Sequence, residues 1–316
     1  MPGRKLLFGV SLGDWSGADI AQTRGVHERA VLADESGLDL FTLADHPYLA
    51  NRIDAYSGLA FLLGATSRIH GAVTVTNLPS RPAPVLAHAI TSLSALSGGR
   101  VVLGIGAGGM WDQIVKLGVP RLSLGESVSA MEEAIELIRA LSGGGAPVDF
   151  AGRFYRVSGL DPAPVAMPPI WTGSRGPRSL AVTGRLADGW MPGGGADWLS
   201  PQYREQRPLV DEAARAAGRD PPDVISVFNF AGAISDSAPT STRDGDGRWT
   251  GGSVEEWVEE LTGAVLEHGA SGFVYREPGG TFTAAGLARW AEEVVPAVRE
   301  AVAAADAGSP AGGAGR

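Results

Sequence analysis

The sequence predicts an α/β fold, a (β/α)8 TIM barrel with small insertions. Short apolar runs with strand character alternate with longer segments of helical periodicity, and this alternation repeats eight times along the 316 residues. Strand–helix alternation is typical of a parallel sheet, and eight units are the number that closes such a sheet into a barrel. The length would also suit two modest domains, so the prediction depends on the alternation and not on size.

The first four units follow one another in chain order. Each begins with an apolar run of five or six residues and continues into a segment of helical periodicity. Gly37 and Gly98 follow the first and third helices, at positions where glycine fits a C-terminal cap. The strands are predicted at residues 6–11, 40–44, 71–76 and 101–105, and the helices at residues 19–36, 55–66, 84–96 and 127–141.

The last four units repeat the pattern with more variable strand lengths. Ser253 and Glu256 have the spacing of a capping box at the start of the seventh helix. Gly218 and Gly269 follow the sixth and seventh helices as predicted caps. The strands are predicted at residues 170–172, 189–191, 224–233 and 272–275, and the helices at residues 178–185, 201–217, 254–268 and 283–305.

Two segments interrupt the alternation. Within residues 146–160, the stretches 149–152 and 154–157 have the pattern of a small hairpin inserted after the fourth helix. Residues 236–252 are polar and glycine-rich, which indicates either a lid or a disordered loop. We therefore predict one domain over residues 1–302 and a disordered tail over residues 303–316, where Ala, Gly, Ser and Pro dominate.

Composition excludes several classes of function. The chain has no cysteine, so disulfides, a thiolate nucleophile and thiolate-held zinc or iron–sulfur sites are excluded, and no metal site is predicted. The net charge of −9 argues against nucleic acid as a partner. No transmembrane helix and no targeting segment are predicted, because the apolar run 6–12 is short and leads into Asp14. We expect a cytoplasmic protein without a membrane partner.

The residues that follow strand 2 combine an acid with an imidazole. In barrels of this kind the active site lies at the carboxyl ends of the strands, so Asp45 and His46 fall at the predicted site, as does Arg276 after the eighth strand. A histidine there can donate a hydrogen bond or a proton to a bound ring or substrate near neutral pH. The alternative is an ordinary turn before Pro47.

Glycines crowd the end of the fourth strand, at positions 104, 106, 108 and 109. The pattern is a weak match to a dinucleotide fingerprint, which should follow the first strand and open a helix at once, whereas the next helix is predicted only near Ser127. We favour a steric use, in which Gly106 and Gly108 let the backbone approach a flat ligand. The alternative is a tight turn.

The turn after the fifth strand has the composition of an anion site. Small residues expose backbone N–H groups, the following helix contributes its positive N-terminal end, and two arginines stand nearby. A glycine-rich turn with solvent-exposed arginines is the alternative. The candidate phosphate-binding residues are Gly173, Ser174, Arg175, Gly176 and Arg178.

Taken together, these motifs resemble the bacterial-luciferase-like family of flavin and deazaflavin oxidoreductases, and the resemblance spans nearly the whole chain. The family fold is a (β/α)8 barrel, which agrees with the strand count. The resemblance rests on Gly37-Leu38-Asp39 leading to Asp45-His46, on Thr74-Val75-Thr76-Asn77 with Arg81 and Pro84, on Ser97-Gly98-Gly99-Arg100 before the strand 4 glycines, and on Gly184-Arg185-Leu186-Ala187-Asp188-Gly189-Trp190.

An Asp-His pair after strand 2 is more similar to the branch that uses coenzyme F420, a 5-deazaflavin, than to the FMN branch, where Glu-His is common. The resemblance implies that Asp45 and His46 lie beside the tricyclic ring and that Asn77 hydrogen-bonds it. It also implies a non-prolyl cis peptide between Thr74 and Val75 against the face of the ring. The turn 173–178 would then bind the phosphate.

The implied activity is hydride transfer between coenzyme F420 and a small organic substrate, with His46 or Asp112 handling the proton. Sugar oxidation is disfavoured, because Gly109 stands where the sugar-phosphate dehydrogenase branch has a glutamate. An FMN-dependent monooxygenase and a non-catalytic flavin-binding barrel are the alternatives. The family also implies a homodimer. Trp15, Trp111 and Trp190 are candidates for the pocket wall, with core packing as the alternative reading.

Overall fold

The computed structural model describes residues 6–13, 20–280 and 283–308, and in them eight parallel strands form a closed barrel. The first and last strands pair directly, with Leu7 opposite Gly272, which closes the sheet. The predicted (β/α)8 fold is therefore confirmed. The barrel strands are β1 (Leu7–Ser11), β2 (Leu40–Leu43), β3 (His70–Asn77), β4 (Val101–Gly106), β5 (Ile170–Thr172), β6 (Gly189–Trp190), β7 (Ile225–Ala231) and β8 (Ala270–Arg276).

Helices follow the strands and surround the barrel. None in the described ranges is long and apolar enough to cross a membrane. The main helices are α1 (Ile20–Glu35), α2 (Ala55–Ala65), α3 (Ala83–Ser97), α4 (Leu124–Ala140), α5 (Pro177–Leu186), α6 (Pro201–Ala216), α7 (Val254–His268), α8 (Ala284–Arg289) and α9 (Val295–Gly308). A π-helical segment, Trp290–Val294, joins α8 to α9, and shorter helical turns lie at Leu78–Ser80, Trp111–Ile114, Val115–Leu117, Pro221–Asp223 and Pro278–Gly280.

Local capping sets several helix ends. Ser253 and Glu256 form the predicted capping box, and Gly98 and Gly269 cap α3 and α7 with φ of 68° and 70°. Helix α4 starts at Leu124, three residues before the predicted start, because a second capping box precedes it. That box is formed by Ser123 and Glu126.

The predicted tail is partly helical. Helix α9 continues to Gly308, so residues 303–308 are ordered, which corrects the prediction of disorder from residue 303. Alanine has the highest helix propensity of all residues and lets the helix extend, while Val302, 3% exposed, anchors the preceding turn in the core. Residues 309–316 lie outside the described ranges.

A plug of apolar side chains fills the barrel interior beneath the carboxyl ends of its strands. Because side chains alternate along a strand, the residue two positions after a plug residue faces the barrel mouth. Val227 and Asn229 are related in this way on β7, as are Val274 and Arg276 on β8. The plug consists of Leu40, Ala72, Val102, Trp171, Met191, Val227 and Val274.

Both insertions are ordered. The hairpin is confirmed as antiparallel strands Val148–Ala151 and Arg156–Leu160, and Glu133 of α4 accepts hydrogen bonds from three of its backbone N–H groups. In the segment 236–252, Arg243 donates to the buried Asp197 at 2.8 Å. Its final residues, Gly251–Gly252, pair with Ala233–Ile234. These contacts anchor the segment on the barrel. The segment is therefore not a disordered loop, and it does not form a lid over the cavities described below.

Candidate functional site

A cavity of about 620 Å³, here the first cavity, opens at the carboxyl ends of β2 to β5. Helix α4 also contributes to its lining, through residues that were not predicted for the site: Leu124, Ser127, Val128 and Met131. Of the predicted catalytic and cofactor-binding residues, only Asp112 and Arg178 are outside this lining. Those that line it are Asp45, His46, Thr74, Val75, Asn77, Gly106, Gly108, Gly173, Ser174, Arg175 and Gly176.

A second cavity, also of about 620 Å³, adjoins the first. Ala44, His46, Thr74, Val75 and Gly173 line both cavities, so His46 and Val75 lie at their junction. The remaining lining comes from the other side of the barrel mouth: Ser11, Gly13, Arg52, Met191, Pro192, Gly193, Gly194, Gly195, Asn229, Arg276 and Gly279.

His46 is held by a hydrogen bond at one ring nitrogen. Its Nδ1 lies 2.9 Å from the hydroxyl oxygen of Tyr48, and the Tyr48 O–H donates to Sδ of Met110 at 3.4 Å. Nε2 has no hydrogen-bond partner among the described residues. Met110 has a left-handed backbone with φ of 53° and is 57% exposed at the edge of the first cavity. The arrangement leaves Nε2 available to a ligand.

Asp45 is fully engaged by its neighbours. Its side chain is 1% exposed and accepts two hydrogen bonds from Arg81, at 3.0 and 2.8 Å. The backbone N–H of Asn77 donates a third, at 3.0 Å. A carboxylate committed to these bonds holds the loop after β2 against the end of β3. The structure therefore gives Asp45 a positioning role.

Arg81 extends this network behind the cavity. It donates to Asp54, the N-cap of α2, at 2.5 Å, and its guanidinium lies 4.6 Å from the centre of the Tyr56 ring. Burial alone would lower the pKa of Arg81, but the carboxylates of Asp45 and Asp54 outweigh it and raise the pKa. Tyr56 in turn hydrogen-bonds Thr76 of β3 at 2.7 Å, and burial raises its pKa. The network joins α2 to the ends of β2 and β3.

The peptide bond between Thr74 and Val75 is cis, as the family resemblance implies. The Val75 side chain occupies the space left by two glycines. A Cβ added at Gly106 would lie 2.7 Å from Cγ2 of Val75, and one at Gly173 would lie 3.1 Å from the same atom. These glycines therefore make room for Val75, so the ligand would meet this side chain between two bare stretches of backbone.

Gly108 has a different reason to be glycine. Its φ is +98°, and an added Cβ would lie 2.7 Å from Cγ of Pro79. Both features exclude a larger residue, because positive φ and close contact each disfavour a side chain. Gly109, by contrast, has no atom of the described residues within 4 Å of an added Cβ.

Two buried polar atoms in residues lining the first cavity lack partners. Oδ1 of Asn77 and Oγ of Ser174 are enclosed, and no described residue hydrogen-bonds them. Leaving such an atom unpaired costs about 1–3 kcal/mol, so buried polar groups are nearly always satisfied. A polar ligand in the cavity would satisfy both atoms.

The two arginines of the predicted anion turn are placed differently. The turn leads into α5, whose N-cap is Gly176. Arg175 is exposed at the cavity, and its guanidinium has no hydrogen-bond partner in the described part of the chain. Arg178 instead donates to the Gly125 carbonyl at 2.9 Å and to the Ser129 hydroxyl at 2.5 Å. Arg178 therefore links α5 to α4 and does not contact the cavity, which corrects its predicted role.

Asp112 also lies away from the site. The turn Trp111–Ile114 buries Trp111 and Ile114, so Asp112 faces outward, with its side chain 91% exposed and paired with Arg121. The prediction that Asp112 handles a proton is corrected on this ground.

Of the three tryptophans predicted as candidates for the pocket wall, Trp111 and Trp190 line neither cavity. Trp190 is fully buried, stacks on Tyr203, and donates to the Ser174 carbonyl at 2.9 Å, so it supports the anion turn from below. Trp111 is buried and belongs to neither lining. Trp15 lies outside the described residues.

Tyr48 and Asn229 are site residues that the sequence reading missed. Tyr48 follows His46 by two residues, which places an aromatic hydroxyl near the imidazole. Asn229 is an amide in a strand that is apolar apart from Ser226, at a position that alternation from Val227 turns toward the mouth. Both features are visible in the sequence, and each could have identified its residue as part of the site.

Most of the chain matches one protein family. The model described as luciferase-like monooxygenase matches residues 7–244. A putative coenzyme F420-dependent oxidoreductase of Mycobacterium tuberculosis is 32% identical over 199 residues, 58% of this chain and 54% of that protein. An F420-dependent glucose-6-phosphate dehydrogenase of Microbacterium testaceum is 32% identical over 208 residues, 63% of this chain and 60% of that protein. The chain thus spans between half and two thirds of these relatives.

The fold also matches solved structures. The coenzyme F420-dependent tetrahydromethanopterin reductase of Methanopyrus kandleri superposes with a TM-score of 0.75 at 19% identity, covering 92% of this chain and 99% of that one. At this identity the likeness shows the shared barrel. The family match covers well over half of the 316 residues, and the chain therefore belongs to the luciferase-like monooxygenase family.

Proposed function

We propose that the protein is a coenzyme F420-dependent oxidoreductase that transfers hydride between the deazaflavin and a small organic substrate. The observation that carries the proposal is the first cavity, where unpaired Asn77 Oδ1 and Ser174 Oγ belong to the same lining as His46. The names of the two relatives above, both F420-dependent, support it.

The residues of the first cavity fit a deazaflavin. Asn77 and Ser174 would hydrogen-bond its polar edge, and Val75 would contact the ring. The turn Gly173 to Gly176, with Arg175 and the N-terminus of α5, would bind the phosphate. When bound, the deazaflavin supplies the two-electron hydride chemistry.

His46 would manage the proton that accompanies the hydride. The O–H of Tyr48 donates to the thioether of Met110, so its oxygen is left to accept a hydrogen bond from Nδ1–H of His46. In this tautomer Nε2 of the neutral ring carries no proton and can take one from a substrate hydroxyl. In the reverse direction, the protonated ring returns that proton to the carbonyl oxygen.

The test follows F420 absorbance while reduced F420 is mixed with a panel of small carbonyl compounds and imines. We expect turnover with at least one compound and a fall of about 10²-fold or more in His46→Ala. Asp112→Asn is the matched control, because Asp112 is exposed and paired with Arg121, and it should retain turnover. Unchanged turnover in His46→Ala would refute the role of His46.

We further propose that the protein is a cytoplasmic homodimer. Three large apolar side chains support an interface on α2 and α3: Phe61, Val85 and Leu96 are 59%, 66% and 87% exposed. Sedimentation should give twice the monomer mass for the wild type and a lower mass for Phe61→Lys. The cytoplasmic location stays a prediction that cell fractionation can test.

A further inference from the structure

We propose that the second cavity binds the substrate and selects a small anion, a carboxylate or a phosphate, that also carries an O–H or N–H donor. This inference rests on the proposed function and adds the class of substrate. The residues that carry it are Arg276 and Asn229, which line the second cavity.

The barrel places these two residues on adjacent strands. Val274 of β8 pairs with Asn229 of β7, and Arg276 follows Val274 by two residues on the same face. Val227 and Val274 belong to the plug, and Asn229 and Arg276 each lie two residues further along the same strand, on the mouth side of the plug. Their backbones are fixed by the barrel, which makes this side of the cavity a rigid surface.

The second cavity presents a positive group although the whole chain is acidic. The protein carries a net charge of −9, yet the exposed Arg276 is in the lining, and no described residue of that lining is a carboxylate. The first cavity differs, because its acid, Asp45, is neutralised by Arg81. The Arg276 guanidinium has no hydrogen-bond partner among the described residues, and such a group favours an anionic ligand.

Asn229 adds a requirement for a hydrogen-bond donor. Its Oδ1 is buried and has no partner within the described ranges. An amide oxygen only accepts, so an O–H or N–H group of the ligand would satisfy it. An anion without such a donor would leave Oδ1 of Asn229 unsatisfied.

The shared lining connects this site to the proposed chemistry. His46, Thr74, Val75 and Gly173 belong to both cavities, so a ligand held by Arg276 can extend to His46. The anionic group would then lie at the far end of the substrate from the reacting carbon.

An anion could also come from the phosphate-bearing tail of coenzyme F420, and the experiment distinguishes the two sources. Calorimetry would measure binding of inorganic phosphate and of glycolate, a hydroxy acid, to the cofactor-free and the F420-loaded protein. It would also measure binding of F420 and of the bare deazaflavin that lacks phosphate. The variants are Arg276→Gln and Arg215→Gln, the latter an exposed arginine outside both cavity linings with the same change of charge.

We expect the F420-loaded wild type to bind glycolate more tightly than phosphate, because only glycolate carries both the anion and a hydroxyl donor that is always protonated. Arg276→Gln should weaken this binding at least 10-fold and leave the Kd of F420 unchanged, whereas Arg215→Gln should change neither. Absence of anion binding, or a weakening of F420 relative to the bare deazaflavin in Arg276→Gln, would overturn the inference. If F420 fails to bind at all, the proposed function fails, and anion binding to the cofactor-free protein still decides whether the second cavity is an anion site.

Discussion

Nδ1 of His46 lies 2.9 Å from the hydroxyl oxygen of Tyr48, two residues further along the same loop. That hydroxyl also contacts Met110, which follows β4, so residues from two loops, one after β2 and one after β4, set the imidazole. A histidine fixed at one nitrogen offers the other in a defined protonation state, which is what proton transfer to a substrate oxygen requires.

Tyr48→Phe should lower kcat by about 5- to 10-fold, because a hydrogen bond of this kind contributes about 1–1.5 kcal/mol. The Kd of F420 should stay within about twofold, since Tyr48 orients the imidazole. Met110→Leu retains the Tyr48–His46 pair and should have the smaller effect. Steady-state kinetics would measure kcat, and a cofactor titration would measure the Kd of F420. Equal kcat in wild type and Tyr48→Phe would exclude the positioning role.

Gly106→Ala should disturb the site through Val75. The added Cβ would lie 2.7 Å from Cγ2 of Val75, and overpacking of this kind costs about 1–3 kcal/mol. We expect weaker F420 binding and a lower Tm, both restored in part by adding Val75→Ala. Gly109→Ala, where an added Cβ meets no described atom within 4 Å, is the matched control. Failure of Val75→Ala to restore either property would show that the contact is not the cause.

Arg175→Ala and Arg178→Ala should have different effects although they are three residues apart. The Arg175 guanidinium has no hydrogen-bond partner in the described ranges, so its loss should weaken binding of F420 about 10-fold more than binding of the bare deazaflavin, consistent with loss of a charge-assisted hydrogen bond. Arg178→Ala should leave both affinities unchanged and lower the stability by about 1 kcal/mol, because it breaks the link from α5 to α4. Parallel titrations and thermal melts separate the two, and the reverse pattern would move the anion site to Arg178.

Asp34 should make stability depend on acid pH. Burial would raise its pKa, but hydrogen bonds from the backbone of Ser67, Ile69 and Arg68 and from the Ser67 hydroxyl outweigh it and lower the pKa below 3.8. A lowered folded pKa stabilises the protein fully above the unfolded value and loses that contribution as the pH falls through the folded value. Asp34→Asn should therefore be less stable than wild type at pH 7, with the Tm difference narrowing below about pH 4. A constant difference would exclude this linkage.

Periodicity predicted the barrel because each strand and helix carries its pattern locally. The short strand at residues 189–191 was predicted from three residues alone. The capping box at Ser253 correctly predicted the start of α7. Helix α9 extends beyond its predicted end. Composition alone does not include tertiary packing, and the packing of Val302 in the core stabilises the turn before the extension.

The candidate site was predicted less completely because a side chain's direction depends on its neighbours in three dimensions. Gly106 was predicted to let the backbone approach a ligand, and Gly173 was predicted to expose its backbone in the anion turn. The sequence could not show that the Val75 side chain occupies the space beside both glycines. Arg175 and Arg178 have the same chemistry, and only the proximity of α4 separates their roles.

The measurement that tests the account most directly is a titration of the purified protein with coenzyme F420 and, separately, with FMN, following tryptophan fluorescence. The account predicts saturable binding of F420 that weakens in Asn77→Ala, where the unpaired amide oxygen is removed, and much weaker binding of FMN. Tight binding of FMN with no binding of F420 would contradict it and would assign the first cavity to a flavin.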